Sequence, residues 1–371
     1  MKKKLIAGIF ALAFTYVASL SGLKTMSAAA AMHVPAVTAQ TAIVADAVNG
    51  RVVCQKDMHK KMYPASITKI MTGLLAVEKG RDTDSIIVTP EVRKNLISGA
   101  QNIDLKDGER ITQQEALYTM FLRSANDSAN ALAIHIGGTM QNFVGMMNAR
   151  AKVLGCTDTH FANANGLPDK DNVTSAYDMA IITKKAVEEP KLMEYFGATA
   201  YAMPATNKRK ATTYTTLHKM MRNTVYKYSG VIAGKTGWET MSGHTLVTVA
   251  RRDGRTLICV VMKSSSGYSI YSDTIALLNY GFSLPDAASS EYLKTPQTAA
   301  IKPIRVSKPT TAEDTAVTKP VKKEETENTA TGGSMVAPLL LLACSICIFA
   351  FLTTCRSVKQ PKRRVRRRPI E

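Results

Sequence analysis

Hydrophobic and polar positions divide the 371-residue chain into five stretches of different character. Residues 5–20 are predominantly apolar, follow Lys2, Lys3 and Lys4, and lead into the small residues Ser27, Ala28, Ala29, Ala30 and Ala31. That order predicts a secretory signal over residues 1–31, cut near Ala30 or Ala31, with the rest outside the cytoplasm. Residues 335–355 hold no charged side chain, enough length to cross about 30 Å of hydrocarbon. Arg356, Lys359, Lys362, Arg363, Arg364, Arg366, Arg367 and Arg368 follow, so 335–355 is expected to be a single-pass transmembrane anchor with a cytoplasmic basic tail over 356–371. Residues 285–334 are rich in Pro, Thr, Ala, Lys and Glu, a composition that cannot bury enough apolar surface to offset ordering entropy; they read as a disordered stalk.

The remaining stretch, 32–284, is long enough for one domain with a core and a cleft. Apolar runs at 41–44 and 52–54 flank Asn49-Gly50, a hairpin signal. After Pro64, the residues Ile67, Ile70, Met71, Leu74 and Leu75 recur at helical spacing, and Gly80 ends the run. Thr112-Gln113-Gln114-Glu115 is a capping box opening a helix to about Leu122. Asn126 or Asp127 is expected to cap the next helix, which runs to about Ile136. Ser175 and Asp178 open another that must stop before Pro190. Residues 245–250 and 256–262 read as antiparallel strands joined at Asp253-Gly254, and a helix over about 270–280 closes the domain. Strands at both ends with helices between predict an α+β domain whose sheet is built from both ends of the chain.

Charge changes this picture little. The formal net charge is +19; the tail contributes +7 and Lys2, Lys3, Lys4 and Lys24 contribute +4, leaving +8 for the exported remainder. Nucleic acid is therefore not expected as a partner, and a mildly basic exported domain suits anionic surroundings. Cys344, Cys347 and Cys355 belong to the anchor; Cys54, Cys156 and Cys259 are too few and too widely spaced for a disulfide framework or a zinc site and read as buried, inert thiols. No metal and no cofactor is expected.

Three short motifs carry candidate chemistry. In Ser66-Ile67-Thr68-Lys69, residues three apart share a helix face, so the lysine amine can meet the serine hydroxyl. Serine needs a base to become a nucleophile, and lysine serves only where its surroundings favour the neutral amine. Ser124-Ala125-Asn126 lies between two helices, where a hydroxyl and an amide can face a substrate. Lys235-Thr236-Gly237 precedes the strand pair and offers a cation, a hydroxyl and a closely approachable backbone. Taken singly the first motif is weak, arising by chance about once or twice in a chain of this length. Ser124 and Lys235 lie 58 and 169 residues after Ser66.

In this order the trio resembles the active-site-serine penicillin-binding proteins, and more closely the low-molecular-weight D-alanyl-D-alanine carboxypeptidases. Supporting stretches are 63–72, Ser124-Ala125-Asn126-Asp127, His160-Phe161-Ala162-Asn163 with Asn165-Gly166-Leu167, Gly234-Lys235-Thr236-Gly237 and 277–282; the resemblance spans about 35–284. It implies a penicillin-binding-protein/β-lactamase-like fold, a helix-flanked, mostly antiparallel five-stranded sheet with a helical subdomain. It also implies that 32–284 is a catalytic domain. There Ser66 attacks the carbonyl between two D-alanines, Lys69 takes its proton, Ser124 relays a proton to the leaving amine, and Asn126 holds the substrate amide and Lys69. Lys235 and Thr236 would hold the terminal carboxylate beside Gly237, and the N–H groups of Ser66 and Trp238 would form an oxyanion hole. Implied partners are peptidoglycan stem peptides, β-lactams as acylating inhibitors, and the bacterial cytoplasmic membrane.

The chain departs from this pattern in three places. Only the stalk follows Leu284, where many relatives carry a β-rich domain. Ile270 stands about where many carry an Arg. His218 stands in a stretch, 217–221, that is usually Asn-rich, and its role is unassigned; His135, His160 and His244 read as structural. A class A β-lactamase would show Ser-Asp-Asn and a later deacylating Glu, but no Glu occurs between Glu115 and Glu188. A β-lactam- or muropeptide-binding sensor, or a DD-endopeptidase, would use the same residues.

Overall fold

A computed structural model describes residues 33–94, 96–285 and 291–294, all within one compact unit. The signal, the anchor, the basic tail and residues 295–334 of the stalk lie outside the described residues. Among the described residues, no helix is long and apolar enough to cross a membrane.

The chain opens with strands β1 (Thr41–Asp46) and β2 (Val52–Lys56). Asp46 shapes the turn between them by accepting the N–H groups of Val48 and Asn49, each at 2.9 Å. A 3-10 turn (Ala65–Thr68) leads directly into helix α1 (Lys69–Lys79). Then come β3 (Ser85–Ile87), α2 (Pro90–Arg93), β4 (Arg110–Thr112), α3 (Gln113–Arg123), α4 (Asn126–Gly137) and α5 (Met140–Leu154). Next are α6 (Ala176–Val187), α7 (Pro190–Phe196), β5 (Ala200–Met203) and β6 (Thr212–Thr215). The long strands β7 (Val231–Glu239), β8 (Gly243–Arg252) and β9 (Arg255–Ser264) precede the final helix α8 (Ser269–Ser283).

The main sheet has the order β2-β1-β9-β8-β7, and every pairing is antiparallel. Strands from the two chain ends meet at β1–β9, as the apolar runs predict. Alternation sorts their side chains between two cores. Ile258, Val260 and Met262 face the helical side, while Leu257, Cys259 and Val261 face α8. The two small two-stranded sheets, β3–β4 and β5–β6, were not legible in the sequence; each strand is only three or four residues long.

Local signals fix the helix starts. Thr112 accepts the Glu115 N–H at 3.2 Å, and the Glu115 carboxylate accepts the Thr112 N–H at 2.8 Å, the expected capping box. Ser175 likewise accepts the Asp178 N–H at 3.1 Å. The expectation for α4 fails. Ala125 is the capping residue and no side chain caps it. Asn126 is already helical and turns its amide to Lys69, while the Asp127 carboxylate accepts the N–H groups of Ile103, Leu105 and Ser128.

The folded body also reaches past the expected boundary at Leu284. In 291–294, Glu291 O accepts the Val52 N–H at 2.8 Å, the Leu293 N–H donates to Gly50 O at 2.7 Å, and the Leu293 side chain is buried. This part of the expected stalk is an ordered strap across the β1–β2 turn.

Candidate active site

The site lies where the 3-10 turn, the start of α4 and edge strand β7 converge. The sequence pattern expects Ser66 and Lys69 on one α-helix; in fact Ser66 sits in the 3-10 turn and Lys69 is the first residue of α1. The tighter winding of a 3-10 turn eclipses residues three apart, stacking the lysine against the serine more directly than an α-helix would. Lys69 Nζ lies 2.9 Å from Ser66 Oγ, 2.7 Å from Asn126 Oδ1 and 2.5 Å from the carbonyl oxygen of Asn165. Ser66 is partly exposed; Lys69 is completely buried.

Burial is the main force on this amine and pulls it well below its usual value; the neighbouring charge of Lys235 pulls the same way, against Asp127 and Glu239. Two of its three contacts, the Asn126 amide oxygen and the Asn165 carbonyl, can only accept. Nζ donates to all three in this structure; a neutral amine needs only its two hydrogens for those two acceptors, which frees a lone pair for the Ser66 hydroxyl. That is the arrangement of a base beside its nucleophile.

Ser124, at the end of α3, belongs to a second cluster. Lys235 Nζ donates to Ser124 Oγ at 2.9 Å and to the Thr236 carbonyl at 2.7 Å. Lys235 is also buried, which pulls it down to about 7. The two lysine clusters meet through the short Ser124-Ala125-Asn126 segment. Gly237 is buried, Thr236 is partly exposed, and the Trp238 side chain is 58% exposed at the sheet edge. The structure thus brings together Ser66, Lys69, Ser124, Asn126, Lys235 and the 236–238 backbone; the Trp238 ring extends outward.

Close backbone approach and local strain hold the nucleophile in place. Ala65 and Ser124 are non-glycine residues in the left-handed region, with φ of 50° and 57°, a conformation that costs on the order of 1–3 kcal/mol. Gly166 (φ 82°) lies so near that a Cβ there would fall 2.0 Å from Ala65 O. At Gly237 a Cβ would fall 2.3 Å from Thr245 Oγ1 and 3.0 Å from Ser66 N, so only glycine lets β7 lie against the nucleophile turn.

Sequence reasoning missed the Asn165 carbonyl. Asn165 is positioned by its side chain, which donates to Asn130 Oδ1 at 2.9 Å and accepts the Leu167 N–H at 2.8 Å. The Asn165-Gly166 pair marks a tight turn, but no local pattern states that its carbonyl reaches a residue 96 positions away. His218 is buried behind β7, packed on Gly234, with Nε2 3.1 Å from Thr248 Oγ1; burial pulls it down to about 4, so it is neutral. Ile270, where the resemblance would put an Arg, lies in the first turn of α8 and is buried in the core between that helix and the sheet.

The profile of the D-alanyl-D-alanine carboxypeptidase family, peptidase S11, matches residues 28–266. A D-alanyl-D-alanine carboxypeptidase of Bacillus subtilis, DacF, is 31% identical over 250 residues, spanning 66% of this chain and 62% of that protein's own length. The crystal structure of a D-alanyl-D-alanine carboxypeptidase from Mycobacterium tuberculosis H37Rv superposes with a TM-score of 0.66 at 27% identity, covering 71% of this chain and 98% of that one. The DD-transpeptidase of Streptomyces K15 superposes at 0.64 with 25% identity, covering 68% and 100%. The fold is therefore the α+β fold of these DD-peptidases, and the chain belongs to the D-alanyl-D-alanine carboxypeptidase family, peptidase S11.

Proposed function

We propose that the chain is a serine D-alanyl-D-alanine carboxypeptidase that removes the terminal D-alanine from peptidoglycan pentapeptide stems. The observation that carries this reading is the buried, neutral-favouring Lys69 amine 2.9 Å from Ser66 Oγ. Ser66 Oγ attacks the penultimate D-Ala carbonyl as its proton passes to Lys69. The tetrahedral oxyanion accepts the N–H groups of Ser66 and Trp238. The amide C–N bond breaks, its nitrogen takes a proton through Ser124 and departs as D-alanine. Water then attacks the Ser66 ester and releases the tetrapeptide stem. Lys235 and Thr236 hold the substrate's terminal carboxylate; a cation whose pKa has fallen to about 7 when the site is empty regains its proton readily beside an anion. β7 is the sheet edge, which supports docking of an extended peptide along it.

The reading includes an extracytoplasmic catalytic domain held to the membrane by residues 335–355. Its support is the order of signal, domain, stalk, apolar segment and basic tail along the sequence.

β-Lactams present a reactive carbonyl and a carboxylate in the arrangement of a D-Ala-D-Ala terminus, so labelled penicillin tests the nucleophile. The full chain should carry the label on the peptide containing Ser66, and Ser66→Ala should carry none. Label retained by Ser66→Ala would contradict the assignment.

A further inference from the structure

Asn126, which holds Lys69 Nζ, is itself held by a loop from elsewhere in the chain, residues 101–109. The Asn126 N–H donates to Gln101 O at 2.8 Å, and the Asp127 N–H donates to Asn102 Oδ1 at 3.2 Å. The buried Asp127 carboxylate accepts the N–H groups of Ile103 and Leu105, at 3.2 and 2.9 Å. Carbonyls of the same stretch go to Arg209, which lies between β5 and β6. Its Nη1 donates to Ile103 O at 2.8 Å and its Nη2 to Asp104 O at 3.0 Å. The loop backbone is thus gripped from two sides, a carboxylate taking its N–H groups and a guanidinium its carbonyls. Asp104, within this grip, stands at φ 64°, a strained conformation that persists only where the surroundings over-determine it.

Arg209 has no donor to spare. Nε and Nη2 also reach the completely buried Glu109 carboxylate at 2.5 and 2.9 Å, and Nη1 reaches Tyr214 Oη at 3.2 Å. All five N–H groups of the guanidinium are therefore placed. A buried ion pair adds little net stability over an apolar pair of similar shape, so stability alone does not account for this one. We propose that Arg209 is a positioning residue: by holding loop 101–109 against the start of α4 it fixes Asn126, and through the Asn126 amide oxygen the Lys69 amine, for activation of Ser66. The contacts run without a gap from Arg209 through Ile103 and Asp104 to Asp127 and Asn126, and from there to Lys69. The inference rests on the reading of Ser66 as the nucleophile.

The test measures acylation of Ser66 by labelled penicillin in the full chain in detergent, at a temperature where circular dichroism shows each variant fully folded. Arg209→Lys keeps a cation beside Glu109 but loses the planar fork that reaches both carbonyls as well. Its acylation rate constant should fall about 10- to 100-fold, while penicillin binding before acylation stays within about threefold of the parent. Arg209→Met strands the Glu109 charge and should lower the melting temperature; adding Glu109→Gln should recover most of that loss without recovering the rate. Arg150→Lys, at the similarly buried pair with Glu78, should acylate like the parent. Parent-level acylation in Arg209→Lys, or recovery of rate together with stability in the double variant, would overturn the proposal and leave the pair purely structural. Slowed acylation in Arg150→Lys would also overturn it, since any weakened ion pair would then slow the site. A parent that takes no label on Ser66 would overturn the nucleophile reading, and this inference with it.

Discussion

Beneath α8, the central sheet presents Val44, Leu257, Cys259 and Val261 to Leu277 and Leu278, all buried and nearly all apolar. On its other side, where β7 meets the start of α1, the buried residues include Lys69, Ser124, Asn126, Asn165 and Lys235. The two regions are comparably dry, yet one is built from side chains that gain from burial and the other from groups that lose by it. Under α8, burial does structural work. In the cleft, it converts lysine from a solvated cation into an amine able to accept a proton, and the hydrogen bonds of Asn126, Asn165 and Ser124 limit what that costs.

The largest effect should come from breaking the cleft. Lys69→Met should lower the rate of Ser66 acylation by about 10²–10⁴-fold, the usual range for loss of a general base. Its stability to urea should change by no more than about 1–2 kcal/mol, since shedding a buried amine offsets leaving two acceptors without their donor. Leu278→Ala is the opposite case. It should cost about 2–5 kcal/mol of stability through the cavity it opens, while the folded protein keeps kcat/KM within about twofold of the parent. Should Lys69→Met destabilise as much as Leu278→Ala, the cleft would be a structural core and the contrast would fail.

The same contrast decides what could be read from sequence. The β8–β9 hairpin, the capping box at Thr112 and the start of α6 at Ser175 were legible because each is specified within a few residues. The strand termini and the two small two-stranded sheets were less so, since three or four residues carry too little periodicity. In the site, Ser66 and Lys69 were legible as a pair three apart, and Lys235 by its tripeptide. The Asn165 carbonyl and the packing of Gly166 on Ala65 were not, because each depends on segments joined only by folding. Local capping rules offered Asn126 or Asp127 as a helix cap, whereas the resemblance had Asn126 hold Lys69; the second reading stands, because a buried lysine 57 positions away takes that amide oxygen.

A smaller effect sharpens the comparison through pH. Lys235 falls from 10.5 unfolded to about 7 folded, so between these values the unfolded chain holds the extra proton. Stability from this group is fully present above 10.5 and is lost as pH falls through about 7. Lys235→Met should therefore flatten the rise of unfolding free energy between pH 7 and 10 by about 1.4 kcal/mol per pH unit at most, measured by urea melts. Parallel pH profiles for parent and variant would mean that Lys235 is not held in a dry site.

The central claim is that Ser66, activated by Lys69, cleaves a D-Ala-D-Ala terminus, and D-alanine release from a synthetic stem pentapeptide tests it most directly. The full chain in detergent should release one D-alanine per pentapeptide, leaving the tetrapeptide, and Ser66→Ala should release none above the uncatalysed background. Equal release by the two proteins, or none by a parent that still takes penicillin on Ser66, would contradict the account.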